Sequence, residues 1–422
     1  MRSMLGVLLF CLVLNGQAPP DQKQLNLASF EKIWTTIRDK HWEKNPGGLD
    51  WQAIHEEFRP KMEKAANSEE ALALMREMLG RLHQTHFAIF PASVLDDVDV
   101  EAMGDGSPGM DVRVLDDEVV VVRLDPGSPA EKAGVQLGWK IVGVDGKDLA
   151  PLILKLKSDP AVHELTLERA VAARLSGIAG GNLRVRFVDG ANRERMLELG
   201  LAPARGQLAR FGNLPPQHVW FESKRIEDTG YVAFNMFLDL PRVMTGFGSA
   251  VTGCAQCRGF IIDLRGNPGG IGGMAMGMAG WLVSAQDERL GTLYLRDGTI
   301  KFVINPRLEA FNGPVAILVD GTSASTAEIF AGGLQDLHRA RIFGTRTAAA
   351  ALPSVIEKLP NGDGFQYAIA NYISEGGKPL EGVGVTPDTE LKLTRKALLT
   401  GRDPVIDAAL EWIHNEARES AK

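Results

Sequence analysis

Cysteine is scarce in this chain, with three residues in 422. Together with the length, that excludes a small disulfide-stapled scaffold and predicts two or three domains at about 150 residues each. Basic clusters are lacking as well. Lysine and arginine total 46 against 53 acids, for a net charge of −7, which argues against a phosphate-tracking surface and a nucleic-acid partner. The one conspicuous apolar run, Met4 to Leu14, is shorter than the ~20 residues a bilayer requires, so no membrane span is expected in the mature chain. No internal repeat or low-complexity tract is present. What the chain does contain is 45% hydrophobic and 23% charged residues, the balance of a packed globular protein rather than a disordered one.

Met1-Arg2-Ser3, the apolar run, and small residues at Gly16 and Ala18 lay out a cleavable secretory signal over residues 1–18. Its removal would leave 422 − 18 = 404 residues in a secreted or periplasmic setting. Cys11 follows bulky Phe10 early in the run, which is not a lipoprotein arrangement. Cys254 and Cys257, spaced Cys-Ala-Gln-Cys, then face an oxidising compartment. No thioredoxin-like pattern surrounds them, so a local disulfide or a packed thiol pair is expected in place of a redox motif.

Three textures follow one another, with expected boundaries at 19–99, 100–205 and 206–422. From Phe30 to Leu82 apolar residues recur at helical spacing, broken once by Pro46-Gly47-Gly48. Ser68 with Glu69 and Glu70 opens the last helix, and Phe87 to Phe90 turns strand-like. Between Gly104 and Gly206 short β-rich runs alternate with acidic turns. Beyond Gly230 strands and helices alternate, which argues for an α/β core closed by a helix from Pro404 to His414. The middle stretch, from Asp125-Pro126-Gly127-Ser128-Pro129 to Val144-Asp145-Gly146, resembles a PDZ domain, although Trp139 stands where that family usually carries an aspartate. The resemblance implies that Ser107, Pro108, Gly109 and Met110 form the loop whose amides grip a peptide's terminal carboxylate.

Two strand ends in the last region could carry chemistry. Phe260 to Leu264 runs into Arg265-Gly266-Asn267-Pro268-Gly269-Gly270, where glycines let main-chain N–H groups turn outward toward an oxyanion. The Lys-Ser/Thr ending of a nucleotide loop is missing. Val315 to Asp320 runs into Gly321-Thr322-Ser323-Ala324-Ser325-Thr326-Ala327-Glu328. By spacing alone, Ser325 and Glu328 make a capping box. A strand-to-helix turn also suits a serine nucleophile with the next amide, on Thr326, beside it.

Ile262-Asp263-Leu264-Arg265 with Asn267-Pro268-Gly269-Gly270, Ser323-Ala324-Ser325 with Glu328-Ile329-Phe330 and Gln335-Asp336, and Gly382 to Asp388 together resemble the tail-specific, or carboxy-terminal processing, serine proteases. The resemblance implies a crotonase-like ββα core, a Ser325 nucleophile, an oxyanion hole from Thr326 and either Gly269 or Gly270, and protein or peptide substrates with free C-termini. No metal or organic cofactor is implied. The family's general-base lysine would fall at position 350, which is alanine here. Within the superfamily the tricorn core protease uses histidine beside a hydroxyl residue, completed by a glutamate. By that likeness His86 is the base, with Thr85 and Glu381 as its partners.

His83 is the nearest competing histidine. Neighbours on an extended strand point to opposite sides, so Thr85 and His86 need a bend to act together. No third ligand follows at helical spacing to make a His-x-x-His metal site. Asp336 is expected to support its helix or pair with Arg339. The missing lysine also leaves open an inactive family member that binds peptides or hydrophobic ligands, or a chain whose main function lies in the PDZ segment.

Overall fold

The computed structural model describes residues 21–91, 105–158 and 164–420; the expected signal segment lies outside them. The apolar periodicity near the start produces helices Gln22–Lys40, Trp51–Lys64 and Ser68–Gly80. Pro46–Gly48 forms a short 3-10 turn between the first two. The third helix is capped by Asn67 rather than opened by Ser68, since Asn67 Oδ1 accepts from the Glu70 amide at 2.9 Å. Phe30, Ile33, Phe58 and Met75 from these helices share a core with Phe365 and Tyr367. The latter two lie on an antiparallel sheet of Ala88–Phe90, Gly364–Ala368 and Ser354–Lys358. The first helices therefore rest on chain from the last part of the sequence.

The middle region is an antiparallel sheet in the order Met110–Leu115, Glu118–Leu124, Lys140–Val144, Asn182–Val188, Glu194–Gly200. Pro129–Lys132 supplies the expected short helix, and Ala150–Lys157 and Glu164–Arg174 add two more. The last of these buries only Leu167, Glu168 and Val171, a stripe too narrow to announce a helix by apolar spacing. Trp139 packs edge-on against Phe187 at 5.8 Å between ring centroids.

The third region is a six-stranded sheet in the order Phe221–Ile226, Thr229–Phe234, Gly259–Asp263, Val315–Val319, Arg341–Gly344, Thr389–Glu390. All neighbours are parallel except the first pair. Its central strands read as unbroken apolar runs because both faces are covered. Val232, Ile262, Ile317 and Ile342 pack with helices Leu240–Thr252, Gly272–Ala279 and Thr326–Asp336. The alternate residues, Ile261, Ala316, Leu318 and Phe343, meet Val405, Ala409 and Ile413 of the closing helix, Pro404–Ser420. The architecture is multidomain, α/β and α+β, with helices at the start and mixed sheets beyond.

The middle region is docked on the third by named contacts. Trp220 is held between two guanidinium groups, Arg123 at 4.2 Å and Arg205 at 4.3 Å from the ring centre. Arg395 donates to Gly138 O at 3.0 Å and to Asp189 O at 2.9 Å. Cys254 and Cys257 are disulfide-bonded just after helix Leu240–Thr252. Among the described residues no helix is long and apolar enough to cross a membrane.

Candidate active site

Strand Val315–Val319 ends in a tight turn that places Ser325 at φ 54°, ψ −118°, immediately before helix Thr326–Asp336. A positive φ on a non-glycine residue costs on the order of 1–3 kcal/mol and persists only where the surroundings over-determine it. Here they do. Ser323 Oγ donates to Leu264 O at 2.8 Å, and Asp320 Oδ1 accepts from the amides of Thr322 (3.0 Å) and Gly266 (3.1 Å). Ser325 N donates to Ala350 O at 2.8 Å and to Glu328 Oε2 at 3.0 Å. Glu328 thus makes its half of the capping box at the Ser325 amide. Across residues 321–330 Ser325 alone is not fully buried.

The glycine loop lies against this turn. A Cβ on Gly269 would fall 2.8 Å from both Ser325 Cβ and Thr326 N, so only glycine fits there. Gly269 N donates to Asn267 Oδ1 at 2.9 Å. Gly270 is arranged differently. Phe237 N bonds Gly269 O and Ile271 N bonds Phe237 O, at 2.8 and 2.7 Å, so in this extended run the N–H and C=O of Gly270 face the other way. The Gly270 carbonyl accepts from Thr326 Oγ1 at 2.8 Å, which puts the Gly270 amide on the Thr326 side. Neither Gly270 N nor Thr326 N donates to an acceptor among the described residues.

Thr85 and His86 sit in a bend before strand Ala88–Phe90, with His86 at φ 62°. That left-handed residue supplies the bend an extended pair would lack. Thr85 Oγ1 donates to Glu381 Oε2 at 3.0 Å, so its contact with His86 Nδ1 at 2.7 Å must receive the ring proton. The imidazole is thereby held with Nε2 unprotonated. Glu381 also accepts from Thr85 N at 2.9 Å and from Ala351 N at 3.0 Å. The two halves of the site therefore meet on one peptide segment: Ala350 O receives Ser325 N, and Ala351 N reaches Glu381. Among the described residues no hydrogen bond joins the His86 ring to Ser325. Although the residue is partly accessible, protein packs closely round the ring. Burial, and then the charge of Arg169 on helix Glu164–Arg174, pushes His86 down to about 4. His83 is exposed.

Glu328 is completely buried. It accepts from Thr347 Oγ1 (2.6 Å), Ala349 N (2.9 Å) and Ala350 N (3.0 Å) as well as from Ser325 N. Burial pushes its carboxyl up to about 7 against those hydrogen bonds. Removing it would orphan three buried donors, on Thr347, Ala349 and Ala350, at about 1–3 kcal/mol each before relaxation, while Ser325 N keeps Ala350 O, so Glu328→Ala should lower the melting temperature by on the order of 10 °C. The folded state binds the proton more tightly than the unfolded chain does. Its contribution to stability is present below about pH 4.5 and is lost as the pH rises through about 7. Glu328→Gln should flatten that slope, as read by melting curves at pH 5 and 8.

Arg113, on the edge strand Met110–Leu115, donates through Nε to Asp320 Oδ2 at 3.0 Å. Burial works to raise the Asp320 pKa, but Arg113 beside it holds the carboxyl below its ordinary value. On the same strand Val114 N donates to Glu168 Oε1 at 2.5 Å, and burial pushes the Glu168 carboxyl up to about 7. Leu165 of the neighbouring helix packs on Ala324, Ala348 and Ala350. In the loop expected to grip a carboxylate, Pro108, Gly109 and Met110 are buried, and Gly109 N donates to Ser107 Oγ at 3.0 Å. Asp336 pairs with Gly376 N at 2.9 Å instead of with Arg339. The Arg339 guanidinium turns instead to the carbonyls of Leu282 and Phe311.

Residues 228–391 match the model of peptidase family S41, and residues 26–80 match the tricorn protease C1 domain. Across most of its length the chain is similar to the tail-specific, carboxyl-terminal-processing serine peptidases. It is 26% identical over 389 residues to the chloroplastic C-terminal processing peptidase of Tetradesmus obliquus, covering 86% of this chain and 76% of that one. It is 25% identical over 395 residues to a carboxyl-terminal-processing protease of Picosynechococcus, covering 90% and 86%. In fold it resembles the photosystem II D1 C-terminal processing protease, with a TM-score of 0.58 at 22% identity, over 88% and 94% of the two chains.

Against that S41 background, Ala350 contributes only its backbone groups and a buried methyl. Sequence reasoning also missed the tethering by Glu328, Asp320 and Arg113. In the sequence Glu328 stands out as a helix cap and as part of the family motif, not as a tether, and nothing local marks Asp320 or Arg113 as partners across 207 positions.

Proposed function

We propose that this S41 peptidase hydrolyses peptide bonds through Ser325 with His86 as general base. The observation that carries the reading is the Glu381–Thr85–His86 chain of hydrogen bonds, tethered at Ala351 next to the residue that holds the Ser325 amide. Ser325 Oγ attacks the carbonyl and His86 Nε2 takes its proton. Thr85, oriented by Glu381, receives Nδ1–H and steadies the imidazolium. The developing oxyanion accepts from the amides of Gly270 and Thr326, aided by the partial positive charge at the start of the helix. The imidazolium returns its proton to the leaving amine, and water then releases the acyl group from Ser325. A histidine and serine that are not hydrogen-bonded at rest can close when substrate binds.

The core is read as crotonase-like, residues 100–205 as a PDZ domain that takes protein C-termini through Ser107–Met110, residues 19–99 as the helical region, and the mature chain as secreted or periplasmic. Substrates whose C-terminus is amidated should then bind more weakly than free acids, as measured by titration calorimetry. Equal affinity would count against carboxylate capture.

A fluorophosphonate should add once, at Ser325, as mapped by mass spectrometry of the digested protein. Labelling should be lost in His86→Ala and kept in His83→Ala; the reverse pattern would move the base to His83, and no adduct at Ser325 would leave a binding scaffold. Because His86 lies near 4, kcat/KM should hold through pH 6 and its acid limb should fall near pH 4, not at the ~6.5 of a free histidine. Arg169→Met removes the like charge and should move that limb upward.

A further inference from the structure

The oxyanion loop opens onto a groove that the chemistry above leaves unused. It is a cavity of about 440 Å³ between residues 207–211 and the start of helix Leu240–Thr252, and Ile271 forms its near wall. Ile271 directly follows Gly270 and is fixed by the same pairing with Phe237 that orients the Gly270 amide. Three large apolar side chains rim the groove while exposed to solvent: Leu208 at 42%, Phe211 at 50% and Leu240 at 43%. Single exposed leucines are ordinary on any surface, but three converging on one concavity mark a site that an apolar group is meant to cover. Of the charges that line it, Asp239 and Arg242 on the helix side pair with each other at 2.9 Å, and Arg210 lies on the strand side. Strand Gln207–Ala209 pairs on one side with Gln217–Val219 and has no second strand partner among the described residues.

We propose that this groove is the specificity subsite of the peptidase, taking a large apolar side chain of the substrate within two residues of the scissile bond. The occupant follows from continuity. A carbonyl held at the Gly270 amide places its neighbouring residues at ~3.3 Å per residue along the path past Ile271, and the cavity has room for one bulky side chain with part of the next. The peptide backbone adds along strand Gln207–Ala209, the way extended ligands dock on open sheet edges. The assignment rests on the Ser325 reading, since it needs the scissile carbonyl at Gly270.

The test is a set of internally quenched peptides that differ only near the cleavage point, carrying Leu, Phe, Ala or Glu at each of two positions on either side. Wild type should favour Leu or Phe over Ala at one of these positions by roughly 10–200-fold in kcat/KM, the range a hydrophobic pocket supplies. In Phe211→Ser and Leu208→Ser that ratio should fall toward one. In Leu240→Arg the preference at that position should turn toward Glu, a gain that misfolding cannot mimic. Variants that cleave with the wild-type profile would overturn the subsite. Cleavage that survives Ser325→Ala would overturn the Ser325 reading and the subsite with it, whereas Ser325-dependent cleavage with an unaltered profile removes the subsite alone.

Discussion

Ser325→Ala is expected to remove peptide hydrolysis, with kcat/KM falling by roughly 10⁵-fold or more, because the oxyanion donors and the binding surface remain but no atom is left to acylate. The fold should not notice. The turn is held by the bonds that the Ser325 amide donates to Ala350 O and Glu328 Oε2, and alanine keeps that amide. A serine serving only as an N-cap would show the opposite pair of results, about 1 kcal/mol of lost stability with activity intact. Steady-state kinetics and a melting curve on one preparation separate the two.

The second large effect is on the base. His86→Ala should cost on the order of 10⁴-fold in kcat, since proton transfer from Ser325 then falls to water. Thr85→Val tests the hydrogen-bond chain more finely. It keeps the shape of the side chain but gives His86 Nδ1–H no acceptor and Glu381 Oε2 no hydroxyl donor. A loss of about 10²-fold is expected, with KM little changed, because the imidazole is freed to adopt the wrong tautomer. Thr85→Ser restores the oxygen and should restore most of kcat. A purely structural role for Thr85 would lower the melting temperature in Thr85→Val without this split between kcat and KM.

Much of this was legible in the sequence, for reasons that differ by region. The first helices announce themselves by apolar spacing, and the parallel strands by unbroken runs such as Phe260-Ile261-Ile262, which follow from burial on both faces. Ser325, Gly269 and Gly270 stand out as candidates because a strand end followed by a helix start fixes local geometry within a few residues, and the fold brings Gly269 against Ser325. The choice between the two glycines does not. It depends on Asn267 taking the Gly269 amide, a contact only two residues long, and on Phe237 setting which way Gly270 faces, which no local signal gives. His86 and Glu381 are 295 positions apart, and no residue pattern near either encodes their meeting. Only the likeness to a known protease suggested it. The left-handed turn at His86 is equally silent, because histidine carries no preference strong enough to predict it. Asp336 shows the same limit in reverse. Helical spacing offered Arg339, and the fold supplied the Gly376 amide.

The most direct test is a crystal structure with a peptide boronate bound covalently to Ser325, in which the boron mimics the tetrahedral carbon. His86 Nε2 should lie within ~3.2 Å of Ser325 Oγ, with one boronate oxygen inside hydrogen-bond reach of both Gly270 N and Thr326 N. An imidazole out of hydrogen-bond reach of Oγ, with a different side chain receiving its proton, would contradict the assignment of His86.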